Sequence, residues 1–210
     1  MPSVLIIDDH PVVAEGWERI ARASGACDVY SAASPLAGLR AYRAHRPDMI
    51  VLDLSFGDNK MAGVRLLRRL RLHDARTPVL VFSMHRSPII ARRALEAGCN
   101  GFVNKDSPPE EINAAFSTLS SGGFYVSPAI ATRIAMLSRP SSPGAEIRLT
   151  EREMEILGML AAGRSYREIA SAICVSYKTV ANVSHSLREK LKASSIAELV
   201  VKAIDYFDTA

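Results

Sequence analysis

Two hydrophobic rhythms run along the chain, and the change from one to the other divides it. Between Ser3 and Lys105, short runs of consecutive apolar residues recur and each stops at a polar side chain: SVLIID at Asp8, DMIVLD at Asp53, PVLVFS at Ser83, GFVNK at Lys105. Runs of this length without polar alternation, bounded by turn residues, read as strands covered on both faces. A weaker run from Cys27 to Ala33 supplies one more. Between the strands the apolar spacing is helical. Pro11 opens a helix that turns Val13, Trp17, Ile20 and Ala21 to one side until Gly25, and Ser34 with Pro35 opens another with Leu36, Leu39 and Tyr42 inward. Val64 to Leu72 (VRLLRRLRL) is a third, its arginines reading as the solvated face opposite the leucines. Pro88 to Ala97 is stopped by Gly98, and Ser107 with Glu110 has the form of a capping box ahead of Ile112, Ala115, Phe116 and Leu119.

Five strand and helix units in succession predict an α/β fold, a five-stranded parallel, doubly wound (βα)5 sheet. Each crossover between parallel strands is right-handed and needs a helix to cover it. Ser127 and Pro128 begin a further helix with Ile130, Ile134 and Leu137, and SRPSSPGA, Ser138 to Ala145, reads as a linker. Beyond it strand patterns cease. Capping boxes pair Thr150 with Glu153, Ser165 with Glu168 and Ser195 with Glu198, while Ser176 caps a helix through Leu191. The tail is therefore a small all-α four-helix domain. The predicted division is 1–121, a linker with its helix over 122–147, and 148–210.

Composition narrows the class. Hydrophobic residues make up 48% of 210, enough for a buried core, yet no apolar run approaches the roughly 20 residues of a membrane span. The start, MPSVLII, has no basic region ahead of it. A cytoplasmic protein with no membrane partner is expected. Cys27, Cys99 and Cys174 are widely spaced among small or apolar residues and read as buried thiols. The net charge of +4 is mild but local: Arg164 to Lys192 holds 6 Lys/Arg against 2 Asp/Glu, whereas residues 1–121 hold 15 against 13. A nucleic-acid footprint at the C-terminal end is consistent with that excess.

In an open parallel sheet the carboxyl edge is where chemistry collects. The strand pattern brings Asp8, Asp9, Asp53, Ser83 and Lys105 to that edge together. Three carboxylates repel unless a cation neutralises them, and all-oxygen ligation suits Mg²⁺. A carboxylate beside Mg²⁺ can attack a phosphoryl donor to form an acyl phosphate, which a hydroxyl and an ammonium then stabilise. Residues carrying each of these roles are present.

On these residues the first 121 positions resemble the receiver domain of two-component response regulators. The resemblance implies that Asp53 is the phosphoacceptor and that Asp9 and Asp53 ligate Mg²⁺ directly, with Asp8 acting largely through water and the Ser55 carbonyl completing the site. It also implies that Ser83 and Phe102, the switch aromatic three residues before Lys105, report the phosphoryl outward. Two departures stand out. The segment FGDNKMAG reaches its glycine, Gly63, two residues later than the family pattern and without a proline, and Lys105 is followed by Asp106 where proline is frequent, leaving the isomer of that peptide open.

At the other end, Ser165 to Ile173, the turn Cys174-Val175-Ser176, and Tyr177 to Leu191 read as helix, tight turn, helix. Ile169, Ala170, Val175, Val180 and Leu187 face inward, and Lys178, Asn182, His185 and Arg188 face outward. Leu149 to Ser195 is similar to the helix-turn-helix of LuxR/NarL-type regulators. Ala181 stands where that family often has lysine, so base readout is expected from Asn182 and His185, and phosphate contacts from Ser165, Lys178 and Thr179. The implied partners are a sensor histidine kinase, promoter duplex DNA, and a second copy of the chain on that DNA. Two rival readings stand beside this one. A phosphatase of the haloacid dehalogenase kind would want a second Asp two residues after its nucleophile, where Asp53 is followed by Leu54 and Ser55. A phosphorylation-independent regulator would use the receiver fold only to dimerise. The expectation is a regulator that is not an enzyme, with at most slow self-dephosphorylation.

Overall fold

A computed structural model of the chain describes residues 2–26, 28–137 and 149–208. Strands β1 (Ser3–Ile7), β2 (Asp28–Ala32), β3 (Met49–Leu52), β4 (Val79–Ser83) and β5 (Gly101–Asn104) alternate with helices α1 (Pro11–Ala23), α2 (Pro35–His45), α3 (Ala62–Arg71), α4 (Pro88–Glu96) and α5 (Pro109–Ser120). All pairings are parallel, in the order β2-β1-β3-β4-β5-β6. The sixth strand, β6 (Tyr125–Val126), goes beyond the five expected; it pairs Gly101 with Tyr125 and Phe102 with Val126. Two residues carry no hydrophobic period, so the sequence gives it no signal. The inner strands β3, β4 and β5 are buried throughout, which is why they read as unbroken apolar runs, while the edge strand β2 is mostly half-exposed and reads weakly.

Each face of the sheet carries its own apolar layer. Trp17 of α1 meets Phe82 edge-on at 5.0 Å and lies 5.9 Å from Phe116 of α5. On the other face Leu39, Leu67, Leu70 and Ile90 bring α2, α3 and α4 together. Truncating a fully buried leucine such as Leu67 to alanine costs about 2–5 kcal/mol. Leu36, expected inward, is 59% exposed because it falls in the first turn of α2, past the sheet. The capping box expected at Ser107 does not form. Pro108 is the extended residue before α5, so the helix starts at Pro109 and Ser107 lies one position too far back.

The second part comprises α6 (Pro128–Leu137), which packs on α4, then α7 (Glu151–Ala161), α8 (Tyr166–Ala172), α9 (Tyr177–Lys190) and α10 (Ile196–Asp208). The expected linker, Ser138 to Ala145, and Cys27 lie outside the described residues. Capping boxes at Thr150 and Ser165 are complete, and Ser176 accepts the Thr179 N–H. At α10 only half of the expected box forms. Ser195 Oγ accepts the Glu198 N–H at 3.1 Å, but the Glu198 carboxylate turns to Ser194, which offers it two donors, its N–H at 2.8 Å and its hydroxyl at 2.5 Å.

Two further expectations change. Cys99 is buried and its thiol is pushed up to about 12 by burial, but Cys174 is exposed, since the α8–α9 turn lies at the surface. The arginines of α3 are not simply a solvated face. Arg65 pairs with Glu155 and Arg68 with Glu151, both on α7, while Arg71 is half-buried and donates to Gly98 O at 2.8 Å and Thr77 O at 2.9 Å. Helix α7 is consequently buried from Glu153 through Leu160, with α9 and α10 on one side and the sheet domain on the other.

Candidate functional site

The parallel register sets the strand ends side by side: Ile7 pairs with Leu52, so Asp8 and Asp53 leave adjacent strands at one level. Asp53 is held there by its own N–H, which donates to Ile7 O at 2.9 Å. Its Oδ1 accepts the Leu54 N–H at 2.7 Å and the Ser55 N–H at 3.3 Å, leaving Oδ2 for Lys105. Lys105 Nζ lies 2.8 Å from Asp53 Oδ2 and 2.7 Å from Asp8 Oδ2, so one ammonium bridges two buried carboxylates. Ser83 ends β4, fully buried, and its Oγ accepts the His85 N–H at 3.3 Å. Phe102 is fully buried in the layer on the α4 side of the sheet. Among the described residues no peptide bond is cis, so the Lys105–Asp106 peptide is trans.

Burial raises the Asp53 pKa, and Asp8 adds to it; Lys105 pulls the other way without cancelling the rise. Burial lowers the Lys105 pKa, yet the hydrogen bonds it donates to Asp53 and Asp8 outweigh this and the net shift is upward. Ligand atoms of Asp8, Asp9, His10 and Asp53 all lie within 4.8 Å of one another. Three carboxylates against a single ammonium leave the pocket negative, and Asp9 Oδ1 is a buried oxygen with no hydrogen bond of acceptable geometry, although His10 Nδ1 stands 2.9 Å away. A hard divalent cation fits the donor set that Asp8, Asp9 and Asp53 offer.

Several neighbours carried no signal of their own in the sequence. His10 Nδ1 also approaches Asp8 Oδ1 at 3.0 Å, and His85, buried, bonds Ser55 Oγ through Nε2 at 2.9 Å. Asn104 Nδ2 donates to His85 O at 2.6 Å, and Arg86 pairs with Asp106. In the long segment after Asp53, Phe56 and Asn59 exchange backbone hydrogen bonds at 3.2 and 3.1 Å, folding the two extra residues into a tight turn. Gly63 then returns to the site: its N–H donates to Leu54 O at 2.9 Å, and a Cβ there would stand 2.1 Å from Asp53 O. Only glycine fits.

On α9 the inward residues expected from the sequence are buried: Val180 and Leu187 fully, with Ile169 and Ala170 of α8 beneath them. Lys178, Thr179, Asn182 and His185 are exposed along the outer face, which has the size and shape of a major-groove reader. Two side chains are more committed than expected. The Ser165 hydroxyl donates to Glu168 Oε2 at 2.7 Å within its capping box. Arg188, expected to face outward, folds back so that its guanidinium donates to the carbonyls of Ala193 and Ser194, at 3.4 and 2.5 Å. These carbonyls follow the end of α9, and a guanidinium satisfies them.

Residues 4–117 match the response regulator receiver domain family, and residues 148–203 match the luxR family of bacterial regulatory proteins. The chain is 57% identical over 206 residues to the methanol utilization control regulatory protein MoxX of Paracoccus denitrificans, covering 98% of this chain and 92% of that one. It is 34% identical over 206 residues to the transcriptional activator protein ExaE of Pseudomonas putida, covering 96% and 95%. Among solved structures, the RcsB response regulator of Salmonella typhimurium aligns with a TM-score of 0.76 over 99% of this chain and 100% of that one; at 22% identity the likeness is one of fold.

Proposed function

This chain belongs to the response regulators that join a receiver domain to a regulatory domain of the luxR family, and from that membership we propose that Asp53 accepts a phosphoryl group from a sensor histidine kinase. The family regulates transcription in a phosphorylation-dependent way and is not an enzyme family. The observation that carries the assignment is Lys105 Nζ bridging Asp8 Oδ2 and Asp53 Oδ2, at 2.7 and 2.8 Å, beside Asp9. In the transfer, a carboxylate oxygen of Asp53 attacks phosphorus; the new O–P bond forms as the P–N bond to the kinase histidine breaks, and the imidazole nitrogen keeps the electron pair and takes a proton. Mg²⁺, when bound by Asp8, Asp9, Asp53 and the Ser55 carbonyl, supplies positive charge against the phosphoryl oxygens.

Afterwards Lys105 has a phosphoryl to neutralise in place of the Asp53 carboxylate, and the Ser83 hydroxyl donates to it. Phe102, fully buried three residues before Lys105, would follow that rearrangement. Turning a 1:99 equilibrium into 99:1 takes about 5.5 kcal/mol of differential stabilisation. A dianion desolvated between an ammonium and a hydroxyl is of the right order. Among the described residues no carboxylate follows Asp53 by two to act as acid or base, which supports slow self-dephosphorylation at most.

The output is promoter DNA. Lys178 and Thr179 contact phosphates, joined by Ser165 where its hydroxyl leaves Glu168, and Asn182 with His185 read bases, in a homodimer whose two copies address two half-sites. RcsB offers a precedent, a structure of dimers on DNA. No described helix is long and apolar enough to cross a membrane. Action on promoter DNA supports a cytoplasmic location. The test is incubation with Mg²⁺ and acetyl phosphate followed by intact-mass measurement. Wild type retains one phosphoryl group and Asp53→Asn retains none; equal labelling of both sinks the assignment.

A further inference from the structure

The acidic pocket has to receive an anion. Lys105 already divides itself between Asp8 and Asp53 at 2.7 and 2.8 Å, with Asp9 beside them, so a phosphoryl donor approaching the pocket meets net negative charge. Among the described residues, the loops that leave the strands at this edge carry five side chains able to hold a positive charge: His10, Lys60, His85, Arg86 and Lys105. His10 turns Nδ1 to Asp8 and Asp9 at 3.0 and 2.9 Å, Lys60 sets its ammonium 5.4 Å from the centre of the Phe207 ring, and His85 is buried against Ser55. Arg86 differs. Its charge is permanent, its side chain is 61% exposed, and its guanidinium is paired with Asp106, 39% exposed. The pair ties the loop that follows Ser83 to the residue that follows Lys105, the two groups that take the phosphoryl after transfer. Asp106 stands where the family frequently has proline, so the pair belongs to this chain and not to the family pattern.

We propose that Arg86 is a donor-binding residue: its guanidinium leaves Asp106, takes two oxygens of the incoming phosphoryl group, and returns to Asp106 once that group is on Asp53. This inference rests on the reading of Asp53 as the phosphoacceptor. An ion pair as exposed as Arg86–Asp106 is held weakly, so the exchange meets little resistance. The planar fork of a guanidinium matches two phosphoryl oxygens, and a dianion attracts it more than the single charge of Asp106 does. Asp106 is a positioning residue. It keeps Arg86 near the mouth of the pocket and competes with the donor for it. With acetyl phosphate as donor, the bond from Asp53 to phosphorus forms as the P–O bond to the acetyl group breaks, and acetate leaves with the electron pair. Arg86 holds the phosphoryl equally before and during that step, and an interaction of this kind lowers the half-saturating donor concentration without changing the saturated rate.

The experiment follows the initial rate of labelling by intact mass over a series of acetyl phosphate concentrations, with saturating Mg²⁺ and about 0.15 M salt to screen distant charges. The proteins are the full chain as wild type, Arg86→Gln, Arg86→Lys, Asp106→Asn and the double variant Arg86→Gln with Asp106→Asn. Arg86→Gln is expected to raise the half-saturating concentration at least about fivefold at an unchanged saturated rate. Arg86→Lys should recover only part of this, since an ammonium supplies the charge without the fork. Asp106→Asn frees Arg86 and lowers the half-saturating concentration about two- to fivefold. Loss of a carboxylate favours any anion, so the double variant separates the causes. Exchange predicts that Asp106→Asn has no effect in the Arg86→Gln background, whereas Coulomb attraction alone predicts the same gain in both backgrounds. An unmoved half-saturating concentration in Arg86→Gln, full recovery in Arg86→Lys, or equal gains in both backgrounds overturns the donor site and leaves Asp53 standing as acceptor. Absence of labelling in wild type removes the acceptor and the donor site together.

Discussion

Asp53 sits where burial and charge oppose each other, and the balance has a pH signature. Burial raises its pKa above the ordinary 3.8, Lys105 resists, and the net shift is upward. A raised folded-state pKa means that the protonated form is favoured by folding: its contribution is present below pH 3.8 and is lost as pH rises through the folded value. Asp53→Asn escapes that loss. In EDTA the variant should melt above wild type at pH 7, with the gap closing as pH falls toward 4; a wild type that stays level with the variant across this range contradicts the balance described. Gly63 tests the same site from behind. A methyl at Gly63 would lie 2.1 Å from Asp53 O and 2.6 Å from Leu54 Cα, both backbone atoms unable to yield singly. Gly63→Ala is expected to cost about 2 kcal/mol or more in urea denaturation and to lower acetyl phosphate labelling at least tenfold. The ordered set of Asp8, Asp9, Asp53, Ser83 and Lys105 was legible because each ends a strand of a parallel sheet. His85 was not, since nothing local to it says that its ring will meet Ser55, 30 residues earlier.

Among the elements, α7 carries the C-terminal domain. Its two buried carboxylates face opposite ways: Glu155 pairs with Arg65 of α3, whereas Glu153 receives Lys190 Nζ at 2.7 Å and the Thr150 N–H at 2.9 Å from its own domain. Burial works to raise the Glu153 pKa, but Lys190 and Thr150 together bring it below the ordinary 4.5. A depressed folded-state pKa stabilises above pH 4.5, and that stabilisation drains away as pH falls through the folded value. Glu153→Gln should cost about 1–3 kcal/mol at pH 7 and remove that part of the acid sensitivity. Far-UV circular dichroism reads it, with fluorescence of Trp17 following the sheet domain separately; an unchanged acid profile contradicts the role of Glu153. The boxes at Thr150 and Ser165 were readable because a cap is a matter of four adjacent residues. At Ser107 and Ser195 the same motif misled, once because Pro108 took the cap position and once because Ser194 offered more donors. Strand β6 escaped notice because two residues paired to β5 need no pattern of their own.

At the scale of the whole molecule, the docking of α7 on α3 explains what the arginine-rich helix is for. Arg65 meets a carboxylate 90 positions away, so the sequence can present the arginines but cannot say which acids they will find. The half-exposed pair Arg68–Glu151 is worth up to about 1 kcal/mol, and in Arg65–Glu155 the cost of burying the carboxylate offsets much of the attraction. They hold two domains together without fixing them permanently, as a switch requires. The outward charge lies elsewhere: the excess of 6 Lys/Arg over 2 Asp/Glu between Arg164 and Lys192 is local and small. Tight binding therefore favours the proposed arrangement of two copies on two half-sites, through which phosphorylation would gain leverage over DNA affinity. The measurement closest to the centre of this account is the affinity of the full chain for a duplex selected from a random library, with Mg²⁺, before and after acetyl phosphate, for wild type and Asp53→Asn. Wild type should bind about 5–150-fold more tightly after phosphorylation while Asp53→Asn does not respond. An unchanged wild-type affinity, or the same tightening in Asp53→Asn, would contradict it.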